Sequence, residues 1–291
     1  MSRVLVLGAS GMLGHAVLQV MAASGEHEIF GSVRSEAAKC LLPRDLAGCL
    51  IVAGDVENQD VLVRLFRDVR PQVVVNCIGL VKQLAQADDP LVALQVNAML
   101  PHRIFRLCEL AGARLVHVST DCVFSGGRGR YTEDDVPDAR DLYGRSKLLG
   151  EVSSDGAITL RTSIIGHELG DSHGLVDWFL HQQGQCSGYT RAVFSGLPTI
   201  ELAHVIRDVV IPRPDLSGIY HVASEPISKY DLLRLIAEVY GKMIEIVADD
   251  RLVVDRSLRA DRFKTATGYV PVAWRELVKI MYSNGLSDHV Q

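Results

Sequence analysis

Tyr143 and Lys147 stand four residues apart in the run Tyr143-Gly144-Arg145-Ser146-Lys147, downstream of Gly8-x-x-Gly11-x-x-Gly14 and of Ser119-Thr120-Asp121. On a helix this spacing puts the phenol and the ammonium on one face, about one turn apart. A phenol ordinarily keeps its proton to about pH 10, and a nearby cation favours the phenolate. The pair therefore offers a proton donor usable near neutral pH, which reduction of a ketone to an alcohol requires. The glycine loop supplies a place for a hydride carrier. Tyr and Lys at this spacing occur by chance on exposed helices, so their meaning comes from the order of the three elements.

The loop Gly8-Ala9-Ser10-Gly11-Met12-Leu13-Gly14 follows an apolar run and opens a helical pattern, the setting that dinucleotide binding needs. Gly8 permits the tight turn, Gly11 lets the backbone approach a pyrophosphate, and Gly14 allows close helix packing. The helix start, with Ser10, Met12 and Leu13, then turns N–H groups and partial positive charge toward the phosphates. The second strand ends Gly31-Ser32-Val33-Arg34. Arg34, in place of an acidic residue, favours NADP(H) over NAD(H), although Glu36 lies close by. Asp55 and Val56 follow the third strand and are expected near the adenine. Cys77, Ile78 and Gly79 follow the fourth and are expected along the cofactor. Thr120 ends the fifth strand, where its hydroxyl can meet a substrate carbonyl. Asn97 reads either as a polar surface residue of a helix or as a group holding backbone or water near Lys147.

The elements that must position these residues alternate along the first 165 residues. Strands are expected at Arg3–Leu7, Glu28–Val33, Cys49–Val52, Gln72–Ile78, Arg114–Ser119 and Ala157–Arg161, with helices at Met12–Ala23, Asp60–Val69, Leu91–Ala111 and Tyr143–Val152. Apolar strands alternating with helices predict an α/β fold, a Rossmann-type doubly wound parallel sheet. Ligands bind such sheets beyond the carboxyl ends of the strands. Residues 166–291 predict a smaller C-terminal substrate-binding lobe, with helices at Ile200–Val210, Lys229–Tyr240 and Trp274–Tyr282. A strand at Gly218–Val222 is expected to return to the main sheet. The loop-rich segment before Pro198 carries His173, Trp178 and Arg191 as partners for a diphosphate and base, Arg being suited to bidentate phosphate contact and Trp to stacking on a base. Each also reads as an ordinary surface residue, as does Lys82, which leaves a strand end near the expected nicotinamide.

Composition narrows the class. The chain has 291 residues, 30 Lys and Arg against 35 Asp and Glu, and a formal net charge of −5, which gives no support to a nucleic-acid footprint or a polybasic membrane patch. The apolar start is short and breaks at glycines, so it reads as a buried strand rather than a leader. No apolar run approaches the length that spans a bilayer. The six cysteines, Cys40, Cys49, Cys77, Cys108, Cys122 and Cys186, form no C-x-x-C pair. They predict reduced, buried, structural thiols in a cytoplasmic protein. The ten histidines are scattered without ligand spacing, and no metal is expected.

Over nearly its whole length the chain resembles the extended short-chain dehydrogenase/reductase family, and within it the dTDP-4-dehydrorhamnose reductase branch. The resemblance lies in Gly8–Gly14, Val118–Gly126, Tyr131–Asp135, Tyr143–Glu151, Leu160–Ser163, Gly196–Thr199 and Gly218–Ala223. It implies a catalytic set of Thr120, Tyr143 and Lys147: Tyr143 donates the proton, Lys147 lowers its pKa and holds the nicotinamide ribose, and Thr120 bonds the 4-keto oxygen or the sugar hydroxyls. It implies NADPH-dependent reduction of a nucleotide-activated 4-keto-6-deoxysugar, in the supply of polysaccharide precursors. Asp121 becomes a candidate substrate contact. Sugar-nucleotide dehydratases of the superfamily carry Asp-Glu after the threonine, whereas Thr120-Asp121-Cys122 has no such Glu. Cys122 stands one position late for an epimerising cysteine, and alternation along an extended segment gives it a packing role. It also replaces the branch's usual Tyr. An epimerase with tightly held NAD, and a non-catalytic NADP-binding regulatory subunit, stay open as alternatives. A homodimer face on the helices Leu91–Ala111 and Tyr143–Val152 is a further expectation.

Overall fold

The computed structural model describes residues 1–80, 88–170 and 174–288. Its main sheet has seven strands: β1 Arg3–Leu7, β2 Glu28–Val33, β3 Leu50–Val52, β4 Val73–Asn76, β5 Arg114–Thr120, β6 Ala157–Thr162 and β7 Gly218–His221, in the order β7-β6-β5-β4-β1-β2-β3. The pairings β1–β2, β1–β4, β2–β3 and β4–β5 are parallel. This is the doubly wound Rossmann sheet that the alternation predicted. The strand order reverses between β1 and β4, so the loops after these two strands open the crevice in which such sheets bind ligands.

The chain divides into two compact units that interleave in sequence rather than parting near residue 165. One comprises Met1–Ser119, Arg140–Leu160 and Ala203–Ile219; the other comprises Thr120–Ala139, Arg161–Leu202 and Tyr220–Gln291. In the first unit the strands are apolar on both faces because helices cover both. Leu5, Leu7, Val74 and Leu115 of the sheet pack with Leu62, Leu65 and Phe66 of the helix Gln59–Val69 and with Leu100, Ile104 and Phe105 of the helix Leu100–Ala111.

The expected helix Leu91–Ala111 is not one α-helix. An α-turn at Pro90–Ala93 passes into a π-helical segment, Leu94–Met99, before Leu100–Ala111. Pro101 explains the change, because it has no N–H to donate to the Asn97 carbonyl one turn back. The Gly150 backbone lies against that carbonyl so closely that a Cβ there would sit 1.9 Å from the oxygen. Likewise Ile200–Val210 is α over Thr199–His204 and π over Val205–Val210, for which the sequence offers no marker. The last helix runs further than expected, Trp274–Asp288, and the Tyr143 helix is shorter, Leu142–Leu149.

The second unit holds more strand than its composition suggested. Gln185–Tyr189 pairs in parallel with Glu245–Asp249, and Ala192–Phe194 pairs with Ile227–Ser228 and Val254–Asp255. These strands are two to five residues long, too short for a clear period-two pattern.

Candidate active site

The glycine loop is built as its spacing required. Gly8 sits at φ +78°, and a Cβ there would lie 2.9 Å from Ile78 Cγ1, so the turn after β1 lies against the turn after β4. A Cβ on Gly14 would stand 2.0 Å from the Gly8 carbonyl oxygen, so only glycine lets the helix Met12–Ser24 approach the strand. Gly11 caps that helix with no side chain bonded to its first amides. Its N–H groups are thus open to an anion, as a dinucleotide pyrophosphate requires. The residues fit the cofactor that the loop implies. Arg34 is exposed just beyond β2 and its charge acts on Glu57. Asp55 Oδ1 accepts from the Glu57 amide at 3.0 Å, so its carboxylate orders the turn after β3, where Val56 packs on the core.

Asp141 starts the helix Leu142–Leu149 by accepting the Gly144 amide at 2.7 Å, a typical cap. Tyr143 follows half-buried in the first turn, and Lys147 is 4% exposed in the last. Lys147 Nζ donates to the Val118 carbonyl of β5 at 2.9 Å. Burial brings its pKa down to about 8, against the opposing pull of Glu151 and Cys77. The lysine therefore sheds its charge as the pH rises through about 8. Asn97 is buried, not a surface residue: its Oδ1 accepts the Leu80 amide at 2.9 Å and its Nδ2 donates to Ser146 Oγ at 3.2 Å. A Cβ on Gly79 would lie 3.5 Å from both Asn97 Oδ1 and Lys147 Nζ. Asn97, Gly79 and Lys147 therefore meet, and the π-helical segment is what brings Asn97 there. Cys77 stands beside Lys147, with burial pushing its thiol up to about 12.

Two side-chain pairs in the same unit as Lys147 were missed by sequence reasoning. Ser119 Oγ donates to Glu151 Oε1 at 2.7 Å; Glu151, four residues after Lys147, was legible as a possible partner. Asn76 and the buried His117 bond at 3.1 Å, and burial, with help from Lys147, holds His117 neutral. Nothing in the local sequence marks that pair, because it joins β4 to β5.

In the second unit Thr120 Oγ1 accepts the Cys122 amide at 3.1 Å and lies 3.3 Å from Asp121 Oδ1. Asp121–Val123 form a 3-10 turn rather than an extended segment, so alternation does not set the direction of Cys122. Burial, then the Asp121 charge, pushes the Cys122 thiol up to about 12, which leaves it a poor acid or base near neutrality. Cys40 is exposed, against the expectation of uniformly buried thiols, and all six cysteines are free. Trp178 lies on the helix Leu175–His181, and it and Arg191 are exposed. Neither bonds to Thr120 or Asp121 among the described residues. Lys82 and His173 lie outside the described residues. Among the described residues no group of three or more His, Cys, Asp or Glu side chains could hold a metal.

Residues 2–285 match the family model for the RmlD substrate binding domain. The chain belongs to that family. It is 29% identical over 269 residues to the probable low-salt glycan biosynthesis reductase Agl14 of Haloferax volcanii, covering 88% of this chain and 84% of that one. It is 26% identical to the methionine adenosyltransferase 2 subunit beta of Rattus norvegicus, covering 82% and 72%. It is 25% identical to the dTDP-4-dehydrorhamnose reductase of Aggregatibacter actinomycetemcomitans, covering 96% and 98%. Among solved structures, the dTDP-4-dehydrorhamnose reductase of Bacillus anthracis in complex with NADP superposes with a TM-score of 0.79 at 21% identity, covering 97% and 99%. That likeness shows the fold.

Proposed function

We propose that this protein is an NAD(P)-dependent oxidoreductase that reduces the 4-keto group of a nucleotide-activated 6-deoxysugar with NADPH, in the supply of polysaccharide precursors. The observation that carries the reading is the buried Lys147, held by Val118 and set one helical turn from Tyr143, in a family whose end-to-end relatives include dTDP-4-dehydrorhamnose reductases. When bound, the nicotinamide supplies the hydride. Tyr143 gives its phenolic proton to the ketone oxygen. Lys147 stabilises the resulting phenolate and holds the ribose, while Asn97 and Gly79 keep the lysine in place. Thr120 and Asp121 bind the sugar, and Trp178 and Arg191, with Lys82 and His173, are the proposed nucleotide contacts. The uncapped first helix takes the pyrophosphate through Ser10 to Leu13, with Cys77 and Ile78 along the nicotinamide.

The test is oxidation of NADPH and NADH by the purified protein with dTDP-, GDP- and UDP-linked 4-keto-6-deoxysugars. Oxidation with one of them names the substrate; none with any of them, in protein that binds NADPH, refutes the reading. A non-catalytic regulatory role is the second reading, favoured by the methionine adenosyltransferase subunit among the relatives. Retention of Thr120, Tyr143 and Lys147 argues against it, since folding does not demand all three. A homodimer through the face carrying the exposed Leu91, Met99, Leu110 and Leu149 belongs to the same proposal, as does a cytoplasmic setting for an enzyme with six free thiols.

Two predictions follow the charges. Arg34→Ala should raise KM for NADPH ten- to a hundredfold, the cost of about 1.5–3 kcal/mol for a lost charged hydrogen bond, and leave KM for NADH unchanged. Equal changes for both cofactors would remove Arg34 from the 2′-phosphate. For Lys147, kcat/KM reports the free enzyme. It should fall as the pH rises through about 8, where Lys147 loses its proton. In Lys147→Arg, whose guanidinium stays charged, that limb should vanish from the profile below about pH 10. A limb that persists there belongs to another group.

A further inference from the structure

The second unit holds a cavity of about 420 Å³, formed by residues 223–226, 258–261 and 269–274 with Arg130 and Lys264. Its size falls in the usual range for small-ligand pockets, about 300–1,000 Å³. None of its lining residues takes part in the proposed reaction or cofactor binding. The walls are fixed before any ligand arrives. Ser224 Oγ donates to the Gly196 carbonyl at 2.7 Å, Trp274 Nε1 to the Glu225 carbonyl at 2.6 Å, and Tyr269 Oη to Glu201 Oε1 at 2.8 Å. The Leu258 amide donates to Ser195 Oγ at 2.9 Å. These bonds occupy the hydroxyl and indole donors of the lining, so little is left to hold a polyhydroxylated sugar. What the cavity presents is charge and apolar surface, the latter running from the buried Leu258 and Trp274 to the exposed Val270 and Val272.

Five charged residues line it: Arg130, Arg259 and Lys264 against Glu225 and Asp261. Arg259 and Asp261 pair with each other at 2.6 Å. Among the described residues, Arg130, Lys264 and Glu225 have no hydrogen bond or ion pair at their charged ends. The unpaired remainder is two cations and one carboxylate, in a chain whose formal net charge is −5. Arg130 also sits at φ +49°. An L side chain is strained there, whereas glycine is not, and Gly126, Gly127 and Gly129 stand beside it. A strained position kept as arginine, with no bond at its guanidinium, calls for a partner outside the chain. We propose that this cavity is a second ligand site, for a small molecule that carries a phosphate or carboxylate on an apolar, ring-sized body. Arg130 and Lys264 take the anion; Leu258 and Trp274 take the body.

The test reads the two tryptophans, Trp178 and Trp274, through their indole N–H signals in 15N-labelled protein. Trp178→Phe removes one signal and so assigns both. Phenyl phosphate or benzoate should shift the Trp274 signal saturably, and the tighter of the two names the anion. Inorganic phosphate and benzyl alcohol, each carrying half of the chemistry, should bind about tenfold or more weakly. Arg130→Gly and Lys264→Met should each weaken binding about ten- to a hundredfold, as loss of one charged hydrogen bond does. Arg130→Lys should stay within a few-fold of wild type, and Glu225→Gln, which removes the unpaired carboxylate, should tighten binding. Because glycine suits φ +49°, Arg130→Gly should leave the thermal unfolding midpoint unchanged or higher, so that its lost binding is not lost folding. A Trp274 signal that moves with neither phenyl phosphate nor benzoate overturns the site, as does affinity that survives both charge removals. A shift confined to Trp178 puts the probe elsewhere and overturns it as well.

Discussion

Tyr143→Phe is expected to lower turnover about 10²–10⁴-fold, the usual worth of a positioned general acid, while NADPH binding stays within a few-fold of wild type. The substitution removes one oxygen from a half-buried ring and leaves the helix cap at Asp141, the Lys147–Val118 bond and the Asn97–Ser146 bond in place. The proposed cofactor contacts, backbone amides around Gly8 to Gly14, have no reason to change. The effect should thus fall on kcat, with KM for the cofactor little altered. Stopped-flow hydride transfer together with NADPH titration by fluorescence separates the two. Near-wild-type turnover would remove Tyr143 as the proton donor.

Gly14→Ala is expected to cost about 3 kcal/mol or more in stability, at or above the upper end of ordinary overpacking, and to weaken cofactor binding at the same time. The added Cβ would meet the Gly8 carbonyl oxygen at 2.0 Å and its carbon at 2.8 Å. Both are backbone atoms, so no rotamer change relieves the overlap and the first helix must move off β1. That movement shifts the uncapped helix start, the part proposed to take the cofactor's pyrophosphate. Gly48→Ala is the control: nothing lies within 4 Å of its Cβ, and its effect should stay within about 0.5 kcal/mol. Chemical unfolding of the two variants, each with and without NADPH, measures both terms. If Gly14→Ala matches Gly48→Ala, close helix–strand packing at the loop is not what the glycine provides.

Much of this site was readable from local pattern. Gly8, Gly11 and Gly14 have the spacing that a strand–glycine turn–helix unit uses, and Tyr143 and Lys147 are separated by about the pitch of a helix. The sheet strands were legible because both faces are covered, which makes each a short apolar run. The reading weakened where chemistry depends on what lies opposite. Asn97 looked like a possible surface residue of a long helix. Its burial follows from the π segment before Pro101 and from Gly150, 53 positions later, pressing on its carbonyl. For Cys122 the alternation argument does not apply, since its segment is a 3-10 turn, and burial beside Asp121 pushes its thiol up.

By itself, then, the sequence determined the sheet class, the tight glycine turn into the first helix and the tyrosine–lysine pair, because each depends on residues close in the chain and on a fixed period. Only the tertiary structure decided how those groups are charged and held. Lys147 loses its proton near pH 8 because it is enclosed, with β5 supplying its acceptor. Arg256 reaches the Phe124 carbonyl, next to the turn that carries Asp121, from more than a hundred residues away. Desolvation and Coulomb interactions act through space, so the acid–base character of this site rests on neighbours that no local spacing records.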